Sequence, residues 1–316
     1  MYKKLKDTSD WYVLPKCKKW YAGTTMKTIV THNGTFHADD VFAVATLQLV
    51  YGVEGITIVR TRDESVIATA DIVVDVGGGY DISTGRFDHH QVGAPVRENG
   101  IPYSGFGLVW QTYGEQVAGS VEVAAAIERK IVFAVDADDS AITLADLRNP
   151  DIPTFEIDEV VRSFVPVRGS ADNTDEAFLE AVTFARGLLS RLIVKKTSTI
   201  AMDKIVADTY AAALDTRCLV FTASVATGAC IDLPDVEVVV MPYDPAVNTN
   251  WTAKTIQKTH DTFEARVNFP ESWRGLRDQE LADESGITDA VFCHKTGYFF
   301  VAGSKEGAMK AADMAR

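Results

Sequence analysis

Residues 27–40 read KTIVTHNGTFHADD, and this stretch decides the fold. Lys27–Thr31 is β-branched and apolar, the composition of a short buried strand. It ends in a polar loop, His32 to Ala38. A helix is expected from about Asp39 to Tyr51, because acidic residues in a first turn suit the positive end of the helix dipole and an apolar run follows. Working outward, Ile56–Arg60 predicts a second strand, Glu64–Ala70 a short helix and Asp71–Val76 a third strand closed by Gly77-Gly78-Gly79. Strand and helix alternating in this way predict a mainly parallel sheet covered by helices. Tyr80–Phe87 reads as a hairpin turning at Ser83-Thr84-Gly85, and it delivers Asp88-His89-His90 at its end.

Farther along, helical patterns cover Gly105–Tyr113, Val121–Val135 and Thr174 to Leu214. The last is long for a globular helix, so a break near Lys195–Thr199 is expected. Asn149–Pro153 reads as irregular. Past residue 215 the pattern changes to strands at Cys218–Thr222, Val236–Met241, Phe263–Asn268 and Val291–His294, with a final amphipathic helix at Lys305–Met314. The expected architecture is α/β: a domain at 26–214 and a smaller α+β domain at 215–316. Residues 1–25 carry six lysines without periodicity. They read as a disordered tail or as translation from upstream of a start at Met26, with a functional basic arm as the other reading.

Composition narrows the classes. The chain has 316 residues and a formal net charge of −13. That balance disfavours a protein that wraps long duplex DNA non-specifically, since such affinity comes from neutralising phosphates; short substrates with few phosphates fit better. No apolar run approaches the roughly 20 residues of a membrane span. Cys17, Cys218, Cys230 and Cys293 form no CxxC pair, and a secretory signal is not evident. A reducing, intracellular setting is expected, the cytoplasm first and the nucleus or mitochondrion as alternatives.

The chemistry gathers where predicted strands end. His32, His37, Asp39 and Asp40 follow the first strand; Asp75 closes the third; Asp88, His89 and His90 follow the hairpin; Asp136 ends another apolar segment. In an open α/β sheet the carboxyl ends of the strands line one crevice. Singly, Asp39 and Asp40 are ordinary first-turn charges, Asp75 is turn chemistry and each His is a structural residue. Together, several carboxylates in a low-dielectric crevice repel one another unless cations or protons intervene. Imidazole plus carboxylate suits Mn²⁺, with Mg²⁺ as the alternative, and four Asp charges balance two such ions. The glycine triplet lacks dinucleotide-binding spacing. No GxSxG, HExxH or P-loop is present.

Seven stretches, THNGTFHADDVFA (31–43), IVRTRD (58–63), DIVVDVGGGYD (71–81), FDHHQ (87–91), VDADDS (135–140), FPESWRGLRDQEL (269–281) and KEGA (305–308), together resemble the melanocyte-proliferating-gene product family, a branch of the DHH phosphoesterase superfamily. The resemblance runs from about Met26 to Ala312. It implies a DHH-type catalytic domain, a C-terminal substrate domain with a cleft between them, and 3′-to-5′ exonuclease activity on RNA or short oligonucleotides by two divalent ions about 3.5–4 Å apart. Residue by residue it implies His32, His37 and Asp39 in the first metal motif, Asp75 bridging both ions, and His89 as a ligand oriented by Asp88. It also implies His90 toward substrate phosphate and Asp136 as the last ligand, with Asp139 as its rival. Asp40 would hold a water or cap the helix. In the second domain Trp273, Arg274, Arg277 and His294 match family positions; Arg274, His294, Ser304 and Lys305 are candidate substrate contacts, and the alternative for Trp273-Arg274 is a structural turn. GYFFVAGSK (297–305) departs from the family, whose members carry a glycine pair followed by His and Arg there. Losing such a bidentate contact removes roughly 1.5–3 kcal/mol, and distributive action on short substrates is the expectation that follows. Two other functions suit the same motifs: a hydrolase of dinucleotides or pyrophosphate, and a non-catalytic nucleotide-binding regulator.

Overall fold

The structure is a computed structural model that describes residues 26–316 apart from 147, 148, 150, 153 and 245. The expectations for residues 1–25, Cys17 and part of Asn149–Pro153 therefore lie outside the described residues. The chain divides into two compact units, Met1–Thr197 and Ser198–Arg316.

In the first unit β1 (Lys27–Thr31), α1 (Ala38–Tyr51), β2 (Ile56–Arg60), α2 (Glu64–Thr69) and β3 (Ile72–Val74) follow the predicted alternation. A tight hairpin, β4 (Tyr80–Asp81) and β5 (Arg86–Phe87), comes next. The sheet order is β2-β1-β3-β5-β4. β1 pairs in parallel with β2 and β3, β3 pairs in parallel with β5, and only β4 runs antiparallel. The parallel strands are therefore aligned with their carboxyl ends toward one edge, which is where His32, Asp75 and Asp88 leave the sheet. α1 is buried from Ala38 through Gln48, as expected for a helix enclosed on all faces. It packs on α3 (Gly105–Ala118), with the Phe42 and Phe106 rings 5.4 Å apart.

α4 (Val121–Ile127) then runs through a π-helical stretch, Glu128–Val132, into α5 (Phe133–Asp139). The helical segment thus continues past Val135, where its apolar pattern stops: Asp136 is held in the interior and Asp139, one turn on, closes the helix at the surface. α6 (Ile157–Arg162) and α7 (Thr174–Ala212) follow. The expected break at Lys195–Thr199 is absent. α7 is one helix of 39 residues; it contains no proline, so nothing in its sequence interrupts the hydrogen-bond ladder. The division into units falls inside α7, earlier than residue 215.

The second unit holds β6 (Cys218–Val220), α8 (Gly228–Ile231), β7 (Val238–Pro242), β8 (Trp251–Thr255), α9 (Asp278–Ser285), β9 (Ala290–Cys293), β10 (Phe299–Ala302) and α10 (Lys305–Ala315). Its sheet order is β6-β7-β8-β10-β9, antiparallel except for β6 with β7. One strand expectation fails, and two strands arise where none was expected. Phe263–Asn268 is not a strand; it contributes one isolated bridge, Gln257 with Ala265, and Phe263 is 96% exposed. The unpredicted strands are β8 and β10. Phe300 and Ala302 on β10 face the buried cluster of Val240, Trp273 and Ala308. The stretch that departs from the family thus supplies β10 and the start of α10. Among the described residues no helix is long and apolar enough to cross a membrane.

Candidate metal centre

His32 is the residue after β1, and the strand end fixes its backbone. Its ring is buried, with Nδ1 3.1 Å from the Asn33 carbonyl. A carbonyl only accepts, so Nδ1 carries the proton of that bond. Nε2 then points at two carboxylates, 3.3 Å from Asp40 Oδ2 and 3.2 Å from Asp75 Oδ2. A lone pair cannot face two anions there without a proton or a cation between them. The His32 pKa takes the proton route: burial pushes it down, but Asp75 and Asp40 outweigh that and raise it.

Asp39 and Asp40 stand in the first turn of α1. Asp40 Oδ1 accepts from the His37 backbone N–H (3.0 Å), so Asp40 does cap the helix. Asp39 Oδ2 accepts from the Gly105 N–H at the start of α3 (3.2 Å). Their other oxygens, Asp39 Oδ1 and Asp40 Oδ2, are buried and accept no hydrogen bond. Buried carboxylate oxygens are normally satisfied, and leaving one bare costs free energy of order 1–3 kcal/mol or more. Burial pushes Asp39 well above the carboxylate range, helped by Asp75 and Asp139, and lifts Asp40 to about 7.

Asp75 follows β3 with φ 53°, a left-handed conformation that Asp tolerates better than most residues. The turn aims its carboxylate between the histidines: Oδ2 toward His32, and Oδ1 3.1 Å from His89 Nε2. Burial pushes its pKa up, yet the hydrogen bonds and charges of His32 and His89 prevail and hold it at about 2. His89 Nε2 also lies 3.5 Å from Asp139 Oδ2 and 3.9 Å from Asp39 Oδ2. A side chain at Gly105 would crowd the cluster, because a Cβ would stand 3.1 Å from Asp75 Cβ and 3.2 Å from Asp39 Oδ2.

Three sets of side chains each offer ligand atoms within 4.8 Å of one another: His32, Asp40 and Asp75; Asp39, His89 and Asp139; and Asp75, Asp88, His89 and His90. The first two sets lie on either side of Asp75. Their donors and their two bare oxygens fit divalent cations, which would replace the protons that the cation-free cluster needs.

Several sequence expectations are placed differently. Asp136 is buried but outside these sets. Its Oδ1 accepts from the Ser104 hydroxyl (2.6 Å) and N–H (3.1 Å), and its Oδ2 accepts from Arg97 Nη2 (2.6 Å) and Nε (3.0 Å). A carboxylate saturated in this way has no oxygen left for a cation, and Asp139, one turn on, takes the place beside His89. Burial pushes the Asp136 carboxyl up, against the pull of Ser104 and Arg97. Asp88 does not hold the His89 ring. Its Oδ1 accepts from the His89 N–H (2.7 Å) and faces His90 Nδ1 (2.7 Å), because the Asp-His-His turn folds the second imidazole back over it. The His90 side chain is 63% exposed. His37 caps α1 with its ring centroid 6.0 Å from that of His32, beside the cluster but outside the three sets; burial and the Arg162 charge lower its pKa. Asp158 Oδ1 accepts from the Ala38 N–H (3.1 Å) and its other oxygen pairs with Arg162, so α6 buttresses the start of α1. No motif signals that contact; it joins residues 120 apart.

The second-unit candidates have local partners. Arg274 Nε donates to the Phe269 carbonyl (3.2 Å), and Trp273 beside it is buried. His294 Nδ1 lies 2.9 Å from Thr296 Oγ1. Ser304 caps α10 through Gly307 N–H (3.0 Å), and the Lys305 ammonium lies 5.7 Å from the Trp251 ring centroid.

Known proteins resemble this chain along most of its length. The family model MYG1 exonuclease, described as "Uncharacterised protein family (UPF0160)", matches residues 28–315. A MYG1 protein of Schizosaccharomyces pombe is 29% identical over 90% of this chain and 95% of its own length. The "MYG1 exonuclease" of Homo sapiens is 30% identical over 90% of this chain and 84% of its own. Among solved structures, a pGpG-specific phosphodiesterase from Vibrio covers 87% of this chain and 92% of its own at 14% identity, with a TM-score of 0.32, a likeness too loose to bear on fold or activity. With the family match running through both units, this chain belongs to the MYG1 exonuclease family.

Proposed function

We propose that this protein is a divalent-cation-dependent phosphodiester hydrolase, a 3′-to-5′ exonuclease on RNA or short oligonucleotides. One observation carries the proposal: two buried carboxylate oxygens, Asp39 Oδ1 and Asp40 Oδ2, accept no hydrogen bond and sit among three further acids (Asp75, Asp88 and Asp139) and three imidazoles (His32, His89 and His90). Relatives named exonucleases support the reaction class.

Asp75 would be shared by two cations. His32 and Asp40 would hold one, with His37 beside them, and Asp39, His89 and Asp139 the other. Bound Mn²⁺ or Mg²⁺ would supply Lewis acidity toward the phosphodiester and the attacking water. The protein's own residues do the rest. Gly105 N–H fixes Asp39 so that its bare oxygen is preset. Asp88 orients the exposed His90 ring, whose Nδ1 it engages, which leaves Nε2 to meet a substrate phosphate. The short-substrate preference rests on the acidic net charge, which gives weak long-range attraction for polynucleotides.

The test is incubation with RNA of graded length labelled at the 5′ or the 3′ end, with Mn²⁺ or with chelator, and sizing of the products. Single nucleotides released from the 3′ end only with Mn²⁺ are expected. Turnover unaffected by chelator, or internal cuts, would overturn the proposal. Cation uptake without turnover would instead mark a nucleotide-binding regulator.

A further inference from the structure

We infer that Arg97 and Asp136 are positioning residues that set the start of α3 against the metal cluster; this rests on the cation-dependent reading above. Arg97 is 9% exposed, deep for a guanidinium. It is sandwiched between aromatic rings, 3.9 Å from the Tyr103 centroid and 4.5 Å from that of Phe133. Two of its nitrogens donate to one oxygen of Asp136 and the third reaches Glu128. Glu128 opens the π-helical stretch, a distortion that often accompanies functional sites.

The other Asp136 oxygen is the part that matters for the cluster. It takes both the hydroxyl and the N–H of Ser104, the residue that caps α3. The next residue is Gly105, whose N–H holds Asp39 Oδ2. Gly107, in the first turn of α3, leaves no room for a side chain: a Cβ would stand 2.5 Å from both Asp136 oxygens. The helix start is thus clamped from behind by Asp136 and touches Asp39 in front. Arg97 lies seven residues past His90, so the same clamp anchors the return of the chain that presents His89 and His90. Three links connect Arg97 to the carboxylate whose second oxygen is bare: Arg97 to Asp136, Asp136 to Ser104, and Gly105 to Asp39 Oδ2. A partner that orients a ligand in this way typically changes cation affinity by about 10–100-fold when removed.

The experiment is Mn²⁺ titration of the full chain, freed of metal, for the wild type, Arg97→Lys, Ser104→Ala, Asp136→Asn and Asp139→Asn, with melting curves for each. Arg97→Lys and Ser104→Ala keep the buried charges balanced and cover the case in which Asp136→Asn does not fold. Expected are wild-type stoichiometry with Kd raised about 10–100-fold in Arg97→Lys and Asp136→Asn, less in Ser104→Ala, and one equivalent lost in Asp139→Asn. Excess Mn²⁺ restores turnover in the first three and not in the last. Loss of an equivalent in Asp136→Asn would make Asp136 a direct ligand and overturn the inference. So would unchanged Kd in Arg97→Lys and Ser104→Ala, which would reduce the clamp to scaffolding. A wild type that takes up no Mn²⁺ removes the metal reading itself, and this inference with it.

Discussion

The cluster at the sheet edge of the first unit and the β10–α10 corner of the second both attract attention in the sequence as places that handle phosphate. Their side chains are in opposite states. In the first, two buried carboxylates each keep one oxygen that accepts no hydrogen bond, Asp39 Oδ1 and Asp40 Oδ2, and Asp40 is lifted to about 7. In the second, Ser304 caps a helix, Arg274 holds a carbonyl and His294 closes on Thr296. Polar groups satisfied within their own unit are scaffolding first. Buried charges left bare require something from outside. The same contrast recurs on α5, where Asp136 is saturated by Arg97 and Ser104 while Asp139 is not, although the two acids are one turn apart.

The sharpest break in that comparison is Asp75→Asn. Asn tolerates the left-handed backbone at this position, so the fold should survive while the shared carboxylate loses its charge. Turnover should fall by at least about 10²–10³-fold, and Mn²⁺ uptake should fall with it, while circular dichroism stays native. Wild-type turnover at saturating Mn²⁺ would take Asp75 out of the mechanism.

A smaller effect comes from Asp40. Its folded pKa, about 7, lies above the ordinary 3.8. The folded state therefore binds more protons than the unfolded chain between those values, and the stability of the cation-free protein falls as pH rises from about 4 to 7. Asp75, held at about 2, acts in the other direction, contributing stability that is lost as pH falls below about 4. Asp40→Asn removes the penalty above pH 7. It should raise the melting temperature of cation-free protein at pH 8 by about 2–8 °C, with little change at pH 5, where Asp40 is already protonated. Cation binding by the wild type should tighten with pH over the same window and release protons, measurable by calorimetry in buffers of different ionisation enthalpy. Equal melting shifts at both pH values would mean that Asp40 carries no such strain.

The weakest effects belong to the second unit. Arg274→Ala should cost about 1 kcal/mol of stability through its lost hydrogen bond, and Lys305→Ala within about 0.5 kcal/mol. KM for a short oligonucleotide should move less than about threefold in either. A large rise in KM with an unchanged melting curve would erase the contrast and make this corner a substrate site.

Much of the first unit was legible because local signals and the fold agree. Lys27–Thr31 and Ile56–Arg60 form strands over the expected bounds, and the Ser83-Thr84-Gly85 turn lies between β4 and β5. The second unit was less legible. Trp251–Thr255 (WTAKT) looks polar, and it becomes a strand because its neighbours bury Thr252, Ala253 and Thr255. Phe263–Asn268 has strand composition and no sheet partner for more than one bridge.

The sequence by itself determined the parallel order of the first strands and the crowding of His32, Asp39, Asp40, Asp75 and His89 at their ends. Short apolar strands alternating with helices are a local signal, and their parallel pairing brings the ends of β1, β3 and β5 to one edge. Only the tertiary structure gives Asp136 and Asp139 different surroundings. Both are acids on one helix, and neither spacing nor composition separates them. What separates them is Arg97, 39 residues away from Asp136, which neutralises one and leaves the other facing His89. Pairing between distant side chains sets which buried charge is satisfied, and that pairing exists only once the chain has folded.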